Sequence, residues 1–540
     1  MGAPMDSLCF PASRLPHSTK LFASYLEDFP HVKRFYARPP EFAAAIKDAK
    51  DLRGQSFPRA EMCRVLRRQN EAFGAGTKVF EALASLESGA VAVVTGQQVG
   101  LFTGPSYSLY KALTAIRVAQ KIRDAGVPAV PVFWLATEDH DLAEVAHCSW
   151  FSGRTLLRLA LEPPATEGRP VGAISLGAQI SSLADQAANA LEGDGAAEIE
   201  AFLRDCYGPR DTFGSAFGKL VARLFGGAGL VVLDPLDEQL HKLATPTYRS
   251  ALTQHQTLTE ALVRRNRELE TAGLHAQVKV SEQSTLLFLI EQGKRLPLRV
   301  RNGRFTAGDA SYTESDLLNR LETQPQAFSA NALLRSVVQD SLLPTAAYIA
   351  GPAEIAYFAQ SSVLYERILG RMPVILPRAG FTLLERPVKK LLERYGLKVE
   401  DVWAGRQHIR RRMEAQSLPK SLLGNFDRGE KEMSRSLSRL EKLLTKLDRT
   451  LAGAAATARR KMTYQLDKLR RKAGRAQDLR KGVLDSHENL LHDSLYPDRA
   501  LQERSHCLLP YLARHGLSLL DELQRRIHAD SFQHQVLFLD

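Results

Sequence analysis

Between residues 91 and 141, two apolar runs are separated by glycines and a periodic segment, and that order admits few folds. The first run, Val91 to Val94, ends at Thr95-Gly96. Gly100 and Gly104 follow, and then Leu109, Leu113, Ile116 and Ala119 recur at helical spacing. The second run, Ala129 to Ala136, ends in Glu138-Asp139-His140-Asp141. Apolar runs bounded by turn residues suit strands buried on both faces of a parallel sheet, and the segment between them reads as a crossover helix. An open sheet of this kind binds ligands at its strand C-ends. Thr95, Gly96, Gln97, Gln98, Gly104 and Tyr107 are therefore candidates to contact a nucleotide or substrate. Glycines let backbone approach a phosphate, and the helix start offers free N–H groups. Lys111, one to two turns into the helix, could reach a phosphate as a point charge. The spacing is neither G-x-G-x-x-G nor G-x-x-x-x-G-K-[ST]. A glycine-rich turn joining two core elements is the alternative.

The acidic cluster after the second run is the densest group of titratable side chains. Its position at a strand C-end suggests that His140 and an acid, Glu138, Asp139 or Asp141, contact substrate. In the plainer reading, Asp139 or Asp141 caps a helix and His140 makes an internal hydrogen bond. Glu144 and His147 follow His140 at i+4 and i+7, so a metal site would need a helix to begin there. The pattern is not H-E-x-x-H, and no metal site is assigned. Arg335, Gln339 and Asp340 lie one helical turn apart. An arginine there can grip a carboxylate or phosphate bidentately, or form a buried ion pair. Gly351-Pro352-Ala353-Glu354 repeats the strand–Gly–helix logic, which would place Glu354 and Tyr357 on the same cleft. Helix capping by Glu354 is the alternative.

The rest of the chain divides accordingly. Residues 1–382 read as a Rossmann-like α/β core with a mostly parallel sheet, interrupted by inserted connecting segments at about 155–330. Within these, Gln277 to Val280, Thr285 to Ile290 and Leu298 to Arg301 alternate as short antiparallel strands would. Residues 383–495 read as a long α-helical coiled-coil hairpin. Leu437, Leu440, Leu444, Leu447 and Leu451 form a heptad seam, which Met462, Leu466, Leu469 and Ala473 continue. Residues 431–436, KEMSRS, resemble the KMSKS loop of class I aminoacyl-tRNA synthetases, but an inserted residue breaks the match and Met433 leads straight into the seam. Residues 496–540 read as a segment packing back on the core, with a helix from Asp521 to Ala529 and a strand from Gln535 to Leu539. Apolar surface on more than one face of the hairpin predicts a homodimer through it.

At 540 residues two or three domains are expected. The net charge of +12 is concentrated in residues 401–482, which hold 22 Lys+Arg against 9 Asp+Glu. A charged coiled-coil exterior accounts for this excess, so nucleic acid is not expected as a partner. The five cysteines are far apart and predict free thiols. No apolar stretch reaches the ~20 residues of a membrane span, and the N-terminus shows no signal-peptide pattern, so a cytoplasmic protein is expected.

The words TGQQ-x-GL-x-TGP-x-Y-x-x-YKA and PVFW-x-x-x-EDHD resemble the bacillithiol-synthesis cysteine ligase family, the BshC type. The stretches Leu334 to Asp340, Leu342 to Thr345, Gly351 to Tyr357, Pro377 to Glu385, Leu495 to Pro497 and Leu501 to Arg504 agree, in order. The resemblance implies addition of cysteine to the amino group of glucosaminyl-malate, the last step of bacillithiol biosynthesis, with ATP as the expected co-substrate. It also implies a role for His140 at the substrate. With Asp139, Asp141 and Lys111, His140 forms the candidate catalytic group. Two other readings stay open: a nucleotide-binding coiled-coil scaffold without catalysis, and a metal-dependent hydrolase built on His140, Glu144 and His147.

Overall fold

The computed structural model describes residues 7–52, 55–162, 168–416, 418–448, 451–481, 483–528 and 531–539. Its centre is a five-stranded sheet: β1 (Val91–Gln97), β2 (Ala129–Leu135), β3 (Val231–Leu233), β4 (Thr345–Ala350) and β5 (Val374–Pro377). The order across the sheet is β5-β4-β1-β2-β3, and every pairing is parallel. Side chains alternate between its faces. Ala92 and Val94 enter one core, with Val130, Trp134 and Tyr348. Val91 and Val93 enter another, with Ala119, Ile349 and Leu376. Burial on both sides is why the strands read as continuous apolar runs.

The chain leaves β1 toward β2 on one side and returns to β4 on the other, so a crevice opens at the C-ends of β1 and β4. Helix α1 (Tyr107–Asp124) crosses from β1 to β2, α2 (Ala332–Leu342) precedes β4, and α3 (Pro352–Ile368) joins β4 to β5. The turn after β1 is tight. Phe102, Thr103 and Gly104 all have positive φ, at 51°, 77° and 62°. A Cβ on Gly100 would lie 2.9 Å from the Gly104 Cα. Those glycines let the loop fold on itself, and non-glycine residues in this backbone region hold local strain.

Between β3 and α2 the chain builds a separate five-stranded antiparallel sheet: Ser284–Glu291, Lys294–Arg301, Arg304–Ala307, Ala310–Tyr312 and Phe328–Ala330. The alternating run Gln277 to Val280 is not one of its strands. Both the N–H and the carbonyl of Val278 bond the Gln360 side chain, which takes the place of a strand partner.

Beyond β5 the protein is largely helical. Helices α4 (Lys420–Leu447) and α5 (Leu451–Lys481) form the hairpin, bridged by Arg459–Glu441 at 3.3 Å and by Arg470–Asp427. Met433 falls within α4, so KEMSRS is coiled-coil helix. The seam is not buried as a unit. Leu437 and Leu444 are half-buried, whereas Leu440 and Leu447 are 52% and 80% exposed. The two helices meet along one side of each, and Leu440 and Leu447 lie outside that contact.

The last segment returns to the core through the helices Leu509–His515 and Ser518–Arg525. Ala529, the expected end of the second helix, lies outside the described residues. The strand His534–Leu539 joins not the central sheet but a three-stranded one, between Ser7–Phe10 and Gly380–Glu385. No helix among the described residues is long and apolar enough to cross a membrane.

Candidate functional site

A cavity of about 500 Å³ occupies the crevice at the β1 and β4 C-ends. The structure brings together there Gly96, Gln97, Gln98, Tyr107, Lys111, Glu138, Asp139, His140, Arg335, Gly351, Glu354 and Tyr357.

Lys111 is buried on the floor. Its Nζ donates to the Gly96 carbonyl at 2.7 Å, to Gln97 Oε1 at 2.8 Å, and to the Glu354 carboxylate. An ammonium has three N–H groups, so all are spent inside the protein. The direct phosphate contact considered above is therefore replaced by a brace that ties β1 to the start of α3. Burial lowers the lysine's pKa, and Glu354 opposes that shift. Glu354 also accepts from the Gly351 N–H at 2.6 Å and from the Tyr348 hydroxyl at 2.7 Å. It both caps α3 and neutralises Lys111.

Arg335 faces the cleft from α2 with neutral partners only: Gln339 Oε1 at 3.2 Å and the hydroxyls of Tyr348 at 3.3 Å and Tyr357 at 3.0 Å. Burial pushes Tyr357 up to about 12, so its hydroxyl stays protonated. The buried ion pair considered for Arg335 is not formed among the described residues. The guanidinium is held rigidly with its charge uncancelled by a direct carboxylate.

The loop after β2 is fixed from several sides. Asp139 accepts from its neighbour's His140 N–H at 2.7 Å and from Gln98 Nε2. The Val171 N–H bonds the Asp139 carbonyl at 2.6 Å, and Thr137 Oγ1 donates to Asp234 at 2.5 Å. A Cβ on Gly172 would lie 2.2 Å from Thr137 Cβ, so only glycine fits against this loop. Arg295, from the antiparallel insertion, donates to Ser329 Oγ at 2.9 Å and the Ala330 carbonyl at 2.7 Å, and its Nη1 lies 3.2 Å from His140 Nδ1. A guanidinium only donates, so in this contact Nδ1 accepts and Nε2 carries the imidazole proton, while Asp139 Oδ1 stands 3.4 Å from the same Nδ1. His140 is thereby presented as a hydrogen-bond donor.

Sequence reasoning missed Arg295, Arg378 and Arg504 as cleft residues. Arg378 and Arg504 flank the Tyr107 ring, with guanidinium carbons 5.3 and 5.7 Å from its centroid. Both occur in stretches that carry the family resemblance, so a signal existed. Arg295 lies in a strand of alternating charge that gives no hint of its destination.

Five candidates lie elsewhere. Thr95 ties β1 to the Ile349 carbonyl of β4 at 3.0 Å. Gly104 serves the turn. Asp141 caps the four-residue helix Leu142–Val145 by accepting from the Glu144 N–H. Gln339 and Asp340 are fully buried behind Arg335, and Asp340 accepts from Tyr365 and Gln339. The short helix also separates the residues of the metal reading. His147 begins a strand and bonds the Ala143 carbonyl instead of sharing a face with His140. Among the described residues no cluster of three metal-ligating side chains forms.

Residues 5–379 match the family model "Bacillithiol biosynthesis BshC, N-terminal Rossmann-like domain", and residues 381–539 match its C-terminal coiled-coil domain. The chain belongs to the bacillithiol biosynthesis BshC family. It is 41% identical to a relative from Koribacter versatilis over 95% of this chain and 96% of the relative. A Solibacter usitatus relative is 39% identical over 99% and 100%, and one from Salinibacter ruber is 33% identical over 98% and 97%. Each of these BshC relatives is named "Putative cysteine ligase BshC".

Proposed function

We propose that the protein is a cysteine ligase that acylates the amino group of glucosaminyl-malate in bacillithiol biosynthesis, with ATP activating the cysteine carboxylate. The observation that carries this reading is the cleft at the β1/β4 switch point, where Arg335 and Arg504 face the cavity without a bonded carboxylate. Phosphates and carboxylates need such charges, and a preorganised low-dielectric site strengthens them. The amine nitrogen attacks the activated carboxyl carbon. The amide C–N bond forms, the bond to the phosphate oxygen breaks, and the amine loses a proton. His140 supplies an Nε2–H donor to developing negative charge.

The test is incubation with cysteine, glucosaminyl-malate and ATP, followed by mass spectrometry of products. A new amide accompanied by AMP assigns an acyl-adenylate, and one accompanied by ADP an acyl-phosphate. Nucleotide binding without product rejects the ligase. His140→Ala is expected to lower kcat/KM by roughly ten- to a hundredfold, the worth of one hydrogen bond to a charged group, with the melting temperature preserved. Full activity in that variant removes His140 from the chemistry.

The same reading takes the protein as a homodimer joined through α4 and α5. Its support is the apolar surface left on the hairpin: Leu443 is 63%, Leu447 80%, Tyr464 56% and Leu469 57% exposed. Exposed patches of this kind mark interfaces. Leu440→Glu combined with Leu447→Glu is expected to give folded monomers by light scattering. A wild-type mass of one chain at micromolar concentration rejects the dimer.

A further inference from the structure

We infer that Glu138, with Gln98 and Trp134, forms the subsite for the ammonium group of the amino-acid substrate. This deepens the reading above and rests on it. Glu138 and Trp134 are 8% and 2% exposed. Glu138 Oε1, Gln98 Oε1 and Trp134 Nε1 are buried, yet none has a hydrogen-bond partner. All three residues line the same cavity. Buried polar groups are nearly always partnered, so three residues of one cavity wall that each carry an orphan atom point to a ligand that supplies their bonds.

The chemistry of the orphans selects the ligand. Gln98 spends its amide N–H on the Asp139 carboxylate, so its free atom is the carbonyl oxygen. Glu138 offers a second oxygen. A cluster of acceptors beside a carboxylate repels phosphate and welcomes a cation with several N–H groups. No protein cation is bonded to Glu138, although Arg295 and Arg335 stand close enough to favour its charged form. His241 Nε2 is 3.7 Å from Glu138 Oε1, beyond hydrogen-bond distance, and burial lowers the pKa of that imidazole to about 4, keeping it neutral. The Arg295 guanidinium is committed to Ser329, Ala330 and His140.

The cleft is therefore dipolar. Acceptors gather where β2 ends, and Arg335 and Arg504 stand on its wall with no carboxylate bonded to them. A zwitterionic amino acid matches that division, with its ammonium on Glu138 and Gln98. Trp134 N–H is left as a donor for an oxygen of the same ligand.

The experiment measures binding of L-cysteine and of 3-mercaptopropionate to the full chain by calorimetry at pH 8, without glucosaminyl-malate. The two ligands share thiol, chain and carboxylate, and differ in the amino group. The wild type is expected to prefer cysteine by roughly ten- to a hundredfold. Glu138→Gln is expected to erase that preference by weakening cysteine alone, and Glu138→Asp to keep part of it. Equal cysteine affinity in wild type and Glu138→Gln, or equal loss of both ligands, overturns the subsite. If cysteine and 3-mercaptopropionate bind the wild type equally while product still forms, the subsite falls and the ligase reading stands. If the wild type binds neither ligand and makes no product, both fall. A general-base role for Glu138 predicts lost turnover with unchanged cysteine binding, and that outcome also rejects the subsite.

Discussion

Arg378→Met will unfold at a markedly lower urea concentration than the parent, with a loss of about 3–5 kcal/mol. Arg378 and Glu503 meet bidentately, at 2.9 and 2.6 Å, with side chains 6% and 4% exposed. Methionine restores the volume but leaves the carboxylate buried with the Phe381 N–H at 3.1 Å and the His534 imidazole at 3.9 Å. An ionised group in that position cannot recover its hydration. The pH dependence follows from Glu503. Burial raises its pKa, but Arg378 and His534 outweigh that, so its folded value lies below the ordinary one. Its contribution to the parent's stability is present above the unfolded carboxyl pKa and is lost as pH falls through the lower folded value. The gap between parent and variant is therefore widest near neutrality and narrows in acid, where the variant's glutamate protonates. Adding Glu503→Gln to Arg378→Met should recover part of the loss. A single-variant loss below 1 kcal/mol would show that the pair is not the buried brace described here.

Glu138→Gln is expected to do the opposite and stabilise the fold at pH 8. Burial raises the Glu138 pKa to about 7, from an ordinary 4.5. Arg295 and Arg335 pull it down, and Asp234 and Asp139 push it up. Because the folded value lies above the unfolded one, the native state holds the proton more tightly. Wild-type stability is therefore highest below about pH 4.5 as far as this group is concerned, and it falls as pH rises toward 7. At about 1.4 kcal/mol per pH unit, the neutral variant gains up to roughly 3 kcal/mol over that window, and the gain is constant above it. Denaturant melts at pH 5 and pH 8 measure it. A variant less stable than wild type at pH 8 would mean that Glu138 makes a bond in the folded free protein.

Strands buried on both faces announced themselves, because nothing polar interrupts Val91–Val94 or Ala129–Ala136. The crevice followed, since Gly96, Glu138 and Glu354 all stand just past such runs, and Lys111 lies near the start of the helix that follows the first. What each group does there was not legible. Lys111 looks like a phosphate ligand until its three acceptors are known, and Asp141 looks catalytic until the Glu144 N–H is seen on it. Gln339 shares a helix face with Arg335 but is buried beneath its guanidinium, and Asp340, one residue on, turns into the core. Arg295 was invisible because its strand lies 155 residues from His140. Local pattern carries no information about such long-range pairing. The seam at Leu440 and Leu447 showed the converse limit: periodicity reveals an apolar stripe, not what covers it.

The counter-ion that Arg378 requires is encoded 125 residues later. Arg504, on the cleft wall, is made just after it, and the strand His534–Leu539 that pairs with Gly380–Glu385 later still. At about 5–20 residues per second, a ribosome needs roughly 6–25 s to reach Glu503 after passing Arg378. During that interval the Rossmann-like half is nascent chain without the counter-ion of Arg378 and without Arg504 on its cleft wall. Assembly of this enzyme is thus gated by the order of synthesis. The whole hairpin is synthesised before the counter-ion that the first half needs.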